Sequence, residues 1–209
     1  MRLKLIVAAA CFALSASSHA NLLKNGGAEL GTLEGWGVAG ESNPRVDNGT
    51  FNAGIGPRTG NYAFVGGRGA FGSLSQNVLL PDVGQVRRVQ MSFWEQGLDQ
   101  DTPSDHGYVS LTYRGQDGSI LGSVQSPAID SHDGVWSNYS GFFDVPLAAF
   151  SVDYTMHFVR SFGMDLDGYF DDNRLSMVPE PGTVATLLLG ALALMGMRRR
   201  RPLPGARAL

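Results

Sequence analysis

The sequence predicts an all-β protein built as an antiparallel β-sandwich. Three segments alternate apolar and polar residues with a period of two, namely Val89–Phe93, Val109–Tyr113 and Val152–Phe158. This alternation is typical of strands that bury one face. Clusters of Gly, Asn, Asp and Pro divide the chain at short spacing, and about eight strands separated in this way favour two packed sheets.

Turn residues and shorter alternating segments predict the remaining elements. Asp117-Gly118 supplies the positive φ angles that a tight hairpin turn needs, and Asp133-Gly134 indicates a second turn. The other predicted strands run from Tyr62 to Val65, from Leu74 to Leu79 and from Trp136 to Val145.

The first twenty residues have the composition of an export signal. Arg2 and Lys4 form a basic start, Leu5–Leu14 is apolar, and small residues precede a cleavage site after Ala20. Cleavage there leaves Asn21 as the first residue of the mature chain.

The composition of the mature segment excludes several functions. The single cysteine, Cys11, leaves with the signal, so neither disulfides nor thiol catalysis contribute. The remaining segment up to Glu180 holds nine basic and nineteen acidic residues, a formal net charge of −10. Nucleic acid is not expected as a partner, because phosphate contacts need a basic stripe. Carboxylates are available for divalent cations.

Three signals stand in a fixed order at the C-terminus. A rigid Pro-Glu-Pro ends the folded domain, an uncharged apolar run extends from Val184 to Met197, and a basic cluster then stops translocation. The membrane stop is Arg198, Arg199, Arg200 and Arg201. This order resembles the PEP-CTERM sorting tail of Gram-negative bacteria, and the resemblance implies that the processing residues are Val178, Pro179, Glu180 and Pro181.

The resemblance implies recognition by an exosortase, a membrane protease that cuts near the Pro-Glu-Pro. The precursor would then place a hydrophobic helix transiently in the inner membrane, and the processed protein would reach the cell surface or extracellular matrix. A plain membrane anchor is the alternative, but the apolar run is short beside the ~20 residues that span a bilayer. We therefore expect a signal at 1–20, a β-sandwich at 21–177, the sorting signal at 178–201 and a cytoplasmic tail at 202–209.

The domain between the signals resembles a galactose-binding-like jelly roll, the fold of many carbohydrate-binding modules. One departure is Asn173-Arg174, where such domains usually place an apolar residue. The matching fragments are Asn21–Glu29 with Gly35-Trp36, then Arg58–Phe64, Leu74–Val78 with Met91–Trp94, Trp136–Phe143 and Gly168–Asp172.

This resemblance implies a structural calcium that ties the first loop to the last strand. Glu29, Asp171 and Asp172 match the carboxylate positions. Ca²⁺ takes six to eight oxygen ligands, so carboxylates from both chain ends would clamp termini that otherwise fray. The alternative is that Glu29 is a surface acid and that the two aspartates end the strand.

A sugar site needs an aromatic surface with polar groups beside it. If Val89, Met91 and Phe93 face the core, the residues between them face outward. We therefore expect one polar sheet face formed by Trp94, Gln90, Tyr108, Arg88, Arg114 and His157. The alternative is that these are scattered surface residues, with Trp94 under a loop. Trp36 and Trp136 are expected in the core.

Catalytic patterns are absent from the sequence, so we do not expect an enzyme. No metalloprotease histidine pair, nucleophile elbow or phosphate loop occurs, and abundant carboxylates pair by chance. The sequence predicts an exported surface or matrix protein whose sandwich binds polysaccharide. A purely structural matrix or adhesion component and a glycan-active enzyme are the alternatives.

Overall fold

The computed structural model describes residues 20–100, 105–130, 133–178 and 190, and eleven strands lie in this part of the chain. The predicted all-β class is confirmed. The strands are β1 (Gly37–Gly40), β2 (Arg45–Asp47), β3 (Ala63–Arg68), β4 (Phe71–Leu79), β5 (Arg87–Gln96), β6 (His106–Arg114), β7 (Ile120–Gln125), β8 (Ile129–Asp130), β9 (Ser137–Val145), β10 (Ser151–Val159) and β11 (Asp165–Val178).

The strands form two antiparallel sheets. Sheet A has the order β1-β4-β10-β6-β7, and β8 also pairs with β6. Sheet B has the order β2-β3-β11-β5-β9. The long-range pairings confirm a sandwich, while the short strands β1, β2 and β8 were not predicted. The last strand is much longer than expected, because it pairs with both β3 and β5 of sheet B.

The core follows from the alternation along β10 at the centre of sheet A. Val152, Tyr154, Met156 and Phe158 are fully buried, and each contributes roughly 1.5–3 kcal/mol by leaving water. Phe170 of sheet B meets Phe158 edge to face with ring centroids 5.1 Å apart. Trp36 also lies in this core, as predicted.

The N-terminal segment is bound to the last strand. Asn21 donates from Nδ2 to the carbonyl oxygen of Asn173, at 2.9 Å, and accepts from the backbone N–H of Leu175, at 3.0 Å. The buried Asn173 side chain donates to the Gly26 carbonyl and accepts from the Tyr154 hydroxyl, both at 3.0 Å. The departure at Asn173 is therefore explained: this polar side chain joins the first loop, the last strand and the core.

A loop covers part of the outer side of sheet B. Ile55 is buried against Ala63, Val65 and Tyr169, apart from the main core. Trp136 is half-buried and packs on this second cluster, so it lies outside the main core in which it was expected. The outer face of sheet B is thus largely structural near β3 and β11.

The chain divides into two compact units, Met1–Met177 and Val178–Leu209. Val178 ends β11. The processing residues Pro179, Glu180 and Pro181 and the four arginines at 198–201 lie outside the described residues, as do residues 1–19 of the export signal predicted at 1–20. Of the expected C-terminal helix, Gly190 alone is described. Among the described residues, no helix has the length and hydropathy that crossing a membrane requires.

The Asn173→Leu substitution should destabilise the domain by about 2 to 3 kcal/mol. It removes the partner of the buried Tyr154 hydroxyl and one donor to Gly26, and an unsatisfied buried polar group costs roughly 1–3 kcal/mol. Urea denaturation of the exported protein measures the change. The matched control is Asn61→Leu at an exposed position, expected within about 0.5 kcal/mol of wild type. Equal midpoints for the two variants would contradict the assignment.

Candidate functional site

The six candidate sugar-binding residues lie on two sheets rather than on one face. Arg88, Gln90 and Trp94 belong to β5 in sheet B, whereas Tyr108 and Arg114 belong to β6 and His157 to β10, both in sheet A. Each set points away from the core, as the alternation predicted. The expectation of a single shared face was wrong, because it required β5 and β6 to be neighbours. The chain crosses between the sheets at that point.

The outer face of sheet A brings Tyr108 and His157 together. They are direct partners in the register of β10 and β6, and their rings stack with centroids 4.4 Å apart and planes 12° from parallel. His157 Nε2 lies 2.8 Å from the hydroxyl of Ser110. Burial lowers the pKa of His157, so its ring is uncharged at neutral pH and stacks without the desolvation cost of a cation.

Rows of polar side chains continue the same face toward Arg114. Arg114 donates from Nε to Asp153, at 2.5 Å, and Asn77 donates to the other oxygen of that carboxylate, at 2.7 Å. These contacts link Asn77 of β4, Asp153 of β10 and Arg114 of β6 across three neighbouring strands. The remaining outward residues are mostly hydroxyls and amides: Ser73, Ser75, Ser110, Thr112, Ser123, Gln125 and Thr155.

We define this surface, from Tyr108 and His157 to Arg114 and Asp153 on sheet A, as the polar face. The sequence analysis missed its serines, threonines, Asn77 and Asp153. Their signal was present, since Ser73, Ser75 and Asn77 alternate with Leu74 and buried positions of β4. What the sequence did not reveal was the order β4-β10-β6, which makes them neighbours.

Trp94 lies in different surroundings at the end of sheet B. The Arg58 guanidinium covers its ring, with Cζ 3.6 Å from the ring centroid, and donates from Nη1 to Asp172 at 2.5 Å. A cavity of about 550 Å³ lies beside this group and is bounded by Ala20 and Asn21 among others. Trp94 is therefore covered by a side chain rather than by a loop.

Arg88 and Gln90 are engaged along the edge of sheet B. Arg88 pairs with Asp144 at 2.7 Å, and Gln90 donates to the Ser140 hydroxyl at 3.1 Å. Both contacts are solvent-exposed and join β5 to the edge strand β9. They lie on the opposite side of the sandwich from the polar face.

The three candidate calcium ligands do converge around Gly27. A Cβ on Gly27 would lie 3.5 Å from Asp171 Oδ1, 3.7 Å from Asp172 Oδ1 and 3.8 Å from Glu29 Cγ. Each carboxylate nevertheless has donors from the chain. Glu29 accepts from the backbone N–H groups of Asn61 and Tyr62, each at 3.1 Å.

Asp171 is the most buried of these acids. It accepts from the backbone N–H groups of Arg58, Thr59 and Asp172, at 2.9, 3.1 and 2.6 Å. Burial raises the pKa of Asp171 to about 6, against the lowering effect of those donors. The positively polarised N–H groups point where a cation would have to approach.

Calcium binding thus stays a prediction. Within residues 20–100, 105–130 and 133–178, no group of three or more acidic, histidine or cysteine side chains is arranged to hold a metal ion. An ion would require the carboxylates of Glu29, Asp171 and Asp172 to exchange N–H donors for the metal.

Comparisons with known proteins agree with the fold and with the tail. Residues 178–201 match the family model described as the PEP-CTERM protein-sorting motif. This match confirms the sequence-based identification of the tail, and the motif indicates a secreted, exosortase-processed surface protein. No curated protein sequence matches the chain significantly.

Solved structures with the same fold include carbohydrate-binding modules. TmCBM61, solved with β-1,4-galactotriose, has a TM-score of 0.53 at 23% identity over 77% of this chain and 99% of its own. The CBM22-1 xylan-binding domain of Paenibacillus barcinonensis Xyn10C has a TM-score of 0.53 at 18% identity over 79% of this chain and 99% of its own.

A phage enzyme also contains the fold. The enzymatically active domain of bacteriophage CBA120 tailspike protein 4 has a TM-score of 0.56 at 17% identity over 76% of this chain. The match spans only 21% of the tailspike domain. At such identities the likeness establishes the fold, a jelly-roll sandwich, and not the ligand.

Thermal melting with and without EDTA tests the calcium prediction. If the ion is bound, its removal should lower Tm at pH 7.5, because the carboxylates then repel one another. Glu29→Gln should abolish that difference while keeping the side-chain size. Identical melting of the wild-type protein in calcium and in EDTA would refute the prediction. Glu29, Asp171 and Asp172 would then serve only as acceptors for donors of the chain itself.

Proposed function

We propose that the exported sandwich binds a neutral polysaccharide on the polar face of sheet A. The observation that carries this proposal is the strand register, which places the Tyr108–His157 stack beside continuous rows of hydroxyl and amide groups. A sugar ring has an apolar face and a polar rim, and this surface offers partners for both.

The stack determines where the apolar face of a sugar would pack. Because Tyr108 and His157 stack on each other through one face of each ring, a sugar would pack on the ring surface that the stack does not use. The far side of His157 borders Ser73, its small partner on β4. Gly107, before Tyr108, is required by the core, since a Cβ there would lie 2.4 Å from the Phe170 ring. The core thereby fixes the strand that presents Tyr108.

The polar face is long enough for several sugar units. From Tyr108 to Arg114 there are six residues of extended strand, roughly 20 Å at about 3.4 Å per residue. Apart from His157 and the Arg114–Asp153 ion pair, the outward residues of this stretch of β6 and β10 carry hydroxyl groups. A linear oligosaccharide therefore meets hydrogen-bonding groups along its whole length.

The charge of the surface favours a neutral ligand. Arg114 and Asp153 neutralise each other, and His157 is uncharged at neutral pH. The mature segment carries a formal net charge of −10, which repels polyanions at long range. Specificity on this face would come from hydrogen-bond geometry rather than from charge.

The comparisons support this proposal by analogy. Two proteins with the same fold are described with β-1,4-galactotriose and as xylan-binding, so both ligands are suitable probes. The sorting motif would deliver the domain outside the inner membrane, where exosortase processing near Pro179 would free it for the cell surface or matrix. The role we propose is recognition without catalysis, at sites where extracellular polysaccharide is present.

Tyr108→Ala tests the polar face as a binding site. We expect it to weaken binding of the exported protein to xylan or β-1,4-galactotriose at least tenfold, a loss of about 1.4 kcal/mol, because the variant removes the aromatic surface on which the sugar packs. Affinity electrophoresis on xylan and isothermal titration with the trisaccharide measure the loss.

Arg88→Ala is the matched control, since Arg88 lies on an outer face of the opposite sheet. It should leave both affinities unchanged. Equal loss in the two variants would indicate general destabilisation. Wild-type protein that is folded and binds no polysaccharide would favour the alternative of a structural matrix component.

A further inference from the structure

The cavity beside Trp94 is separate from the polar face, since none of its described lining residues belongs to β4, β6 or β10. We call it the Trp94 cavity. Its volume of about 550 Å³ lies in the usual range for small-molecule sites. The lining residues on which its chemistry depends are Ala20, Asn21, Arg58, Trp94, Asp172 and Arg174.

Ala20 and Asn21 both line this cavity, and the predicted signal-peptide cleavage site is the bond between them. Removal of the signal therefore has two local consequences. It deletes Ala20 from the wall, and it leaves the α-ammonium of Asn21 at the same place. A neutral peptide group becomes a positive charge with three N–H donors.

The position of the new terminus does not depend on the residues that are removed. The Asn21 side chain bonds to the Asn173 carbonyl and to the backbone N–H groups of Leu23 and Leu175, at 2.9, 3.1 and 3.0 Å. The next residue, Leu22, donates to the Leu175 carbonyl at 2.8 Å. All these bonds persist after cleavage, so the ammonium stays at the cavity wall.

Cleavage adds a positive charge to this cavity. Among the described residues that line it, Arg58 and Arg174 are the other cations and Asp172 is the carboxylate. Asp172 is already engaged, since it accepts from Arg58 Nη1 and from the Thr59 hydroxyl at 2.8 Å. Asp171 and Glu29 lie near the lining residue Gly27, but both already accept from backbone N–H groups. The ammonium and the Arg58 guanidinium are therefore the donors that we expect an anionic group to meet.

We propose that removal of the signal peptide completes a second binding site, in which the α-ammonium of Asn21, the Arg58 guanidinium and the Trp94 ring hold a sugar unit bearing a carboxylate. The carboxylate accepts from the ammonium and from Arg58, whose contact with Asp172 uses Nη1 and leaves its other N–H groups without partners among the described residues. Because Arg58 covers one face of the Trp94 ring, the sugar packs against the part of Trp94 that lines the cavity, which has room for one such unit.

The chain contains two lysines, and this permits a specific test. Lys4 leaves with the signal, so Lys24 supplies the one side-chain amine of the mature protein. Lys24 pairs with Glu34 at 2.5 Å, and Lys24→Arg keeps that pair. The exported Lys24→Arg protein then has a single primary amine, the α-amine of Asn21, which acetylation neutralises selectively. N-terminal sequencing first verifies that Asn21 is the terminus, and any other terminus overturns the proposal.

Binding of methyl glucuronide is followed by NMR on the indole N–H signals of the three tryptophans. We expect the Trp94 signal to shift, with an affinity about tenfold weaker after acetylation. In unacetylated protein the affinity should also fall as the pH rises from 6.5 to 9, because an α-amine titrates near 8. Trp94→Ala should lower the affinity similarly, and acetylation provides the test should that variant fold poorly.

Three controls make the result decisive. Methyl glucoside, which lacks the carboxylate, should bind at least tenfold more weakly, and acetate should not reproduce the shift of Trp94. Tyr108→Ala should leave methyl glucuronide binding unchanged, which separates this site from the polar face. Affinity that is insensitive to acetylation and pH, or acetate binding as strong as the glucuronide, would overturn the proposal.

Discussion

The structure depends on the placement of β10 between β4 and β6. Nine consecutive register pairs join β10 to each neighbour. The inward and outward side chains of β4 and β6 therefore lie level with those of β10. Inward, Tyr154 and Phe158 complete the core. Outward, Asp153 bonds to side chains of both β4 and β6, and His157 contacts two side chains of β6. Because the side-chain period of a strand is two, a slip of one residue would bury the polar face and expose the core.

The two ends of the chain are organised by a different polar contact. Asn173, buried in the last strand, bonds to the first loop and to Tyr154, and Asn21 bonds back to the same strand. The carboxylates of Glu29 and Asp171 are satisfied close by through backbone N–H groups. This end therefore places Asn21, the predicted mature terminus, in the cavity that Trp94 lines, while the middle of the sandwich presents the polar face.

Local patterns in the sequence correctly predicted the fold class. In the alternating strands they also predicted which side chains face the core. Val152 to Phe158 indicated correctly which side chains point outward, and the tail at 178–201 was identified from its order of elements. The error concerned non-local pairing. Strands β5 and β6 are consecutive but belong to different sheets, so Trp94 and Tyr108 are separated. No local signal encodes that crossing. Nor does sequence pattern reveal that Asn173 would be buried, because its partners are distant in the chain.

The most direct test of the central claim is residue-resolved NMR mapping of the exported protein titrated with xylohexaose. The account predicts that perturbed amides cluster on β4, β10 and β6, centred on Tyr108 and His157, with strands β5 and β9 unaffected. Perturbations centred on Arg88 and Gln90 of sheet B, with β10 unchanged, would contradict it.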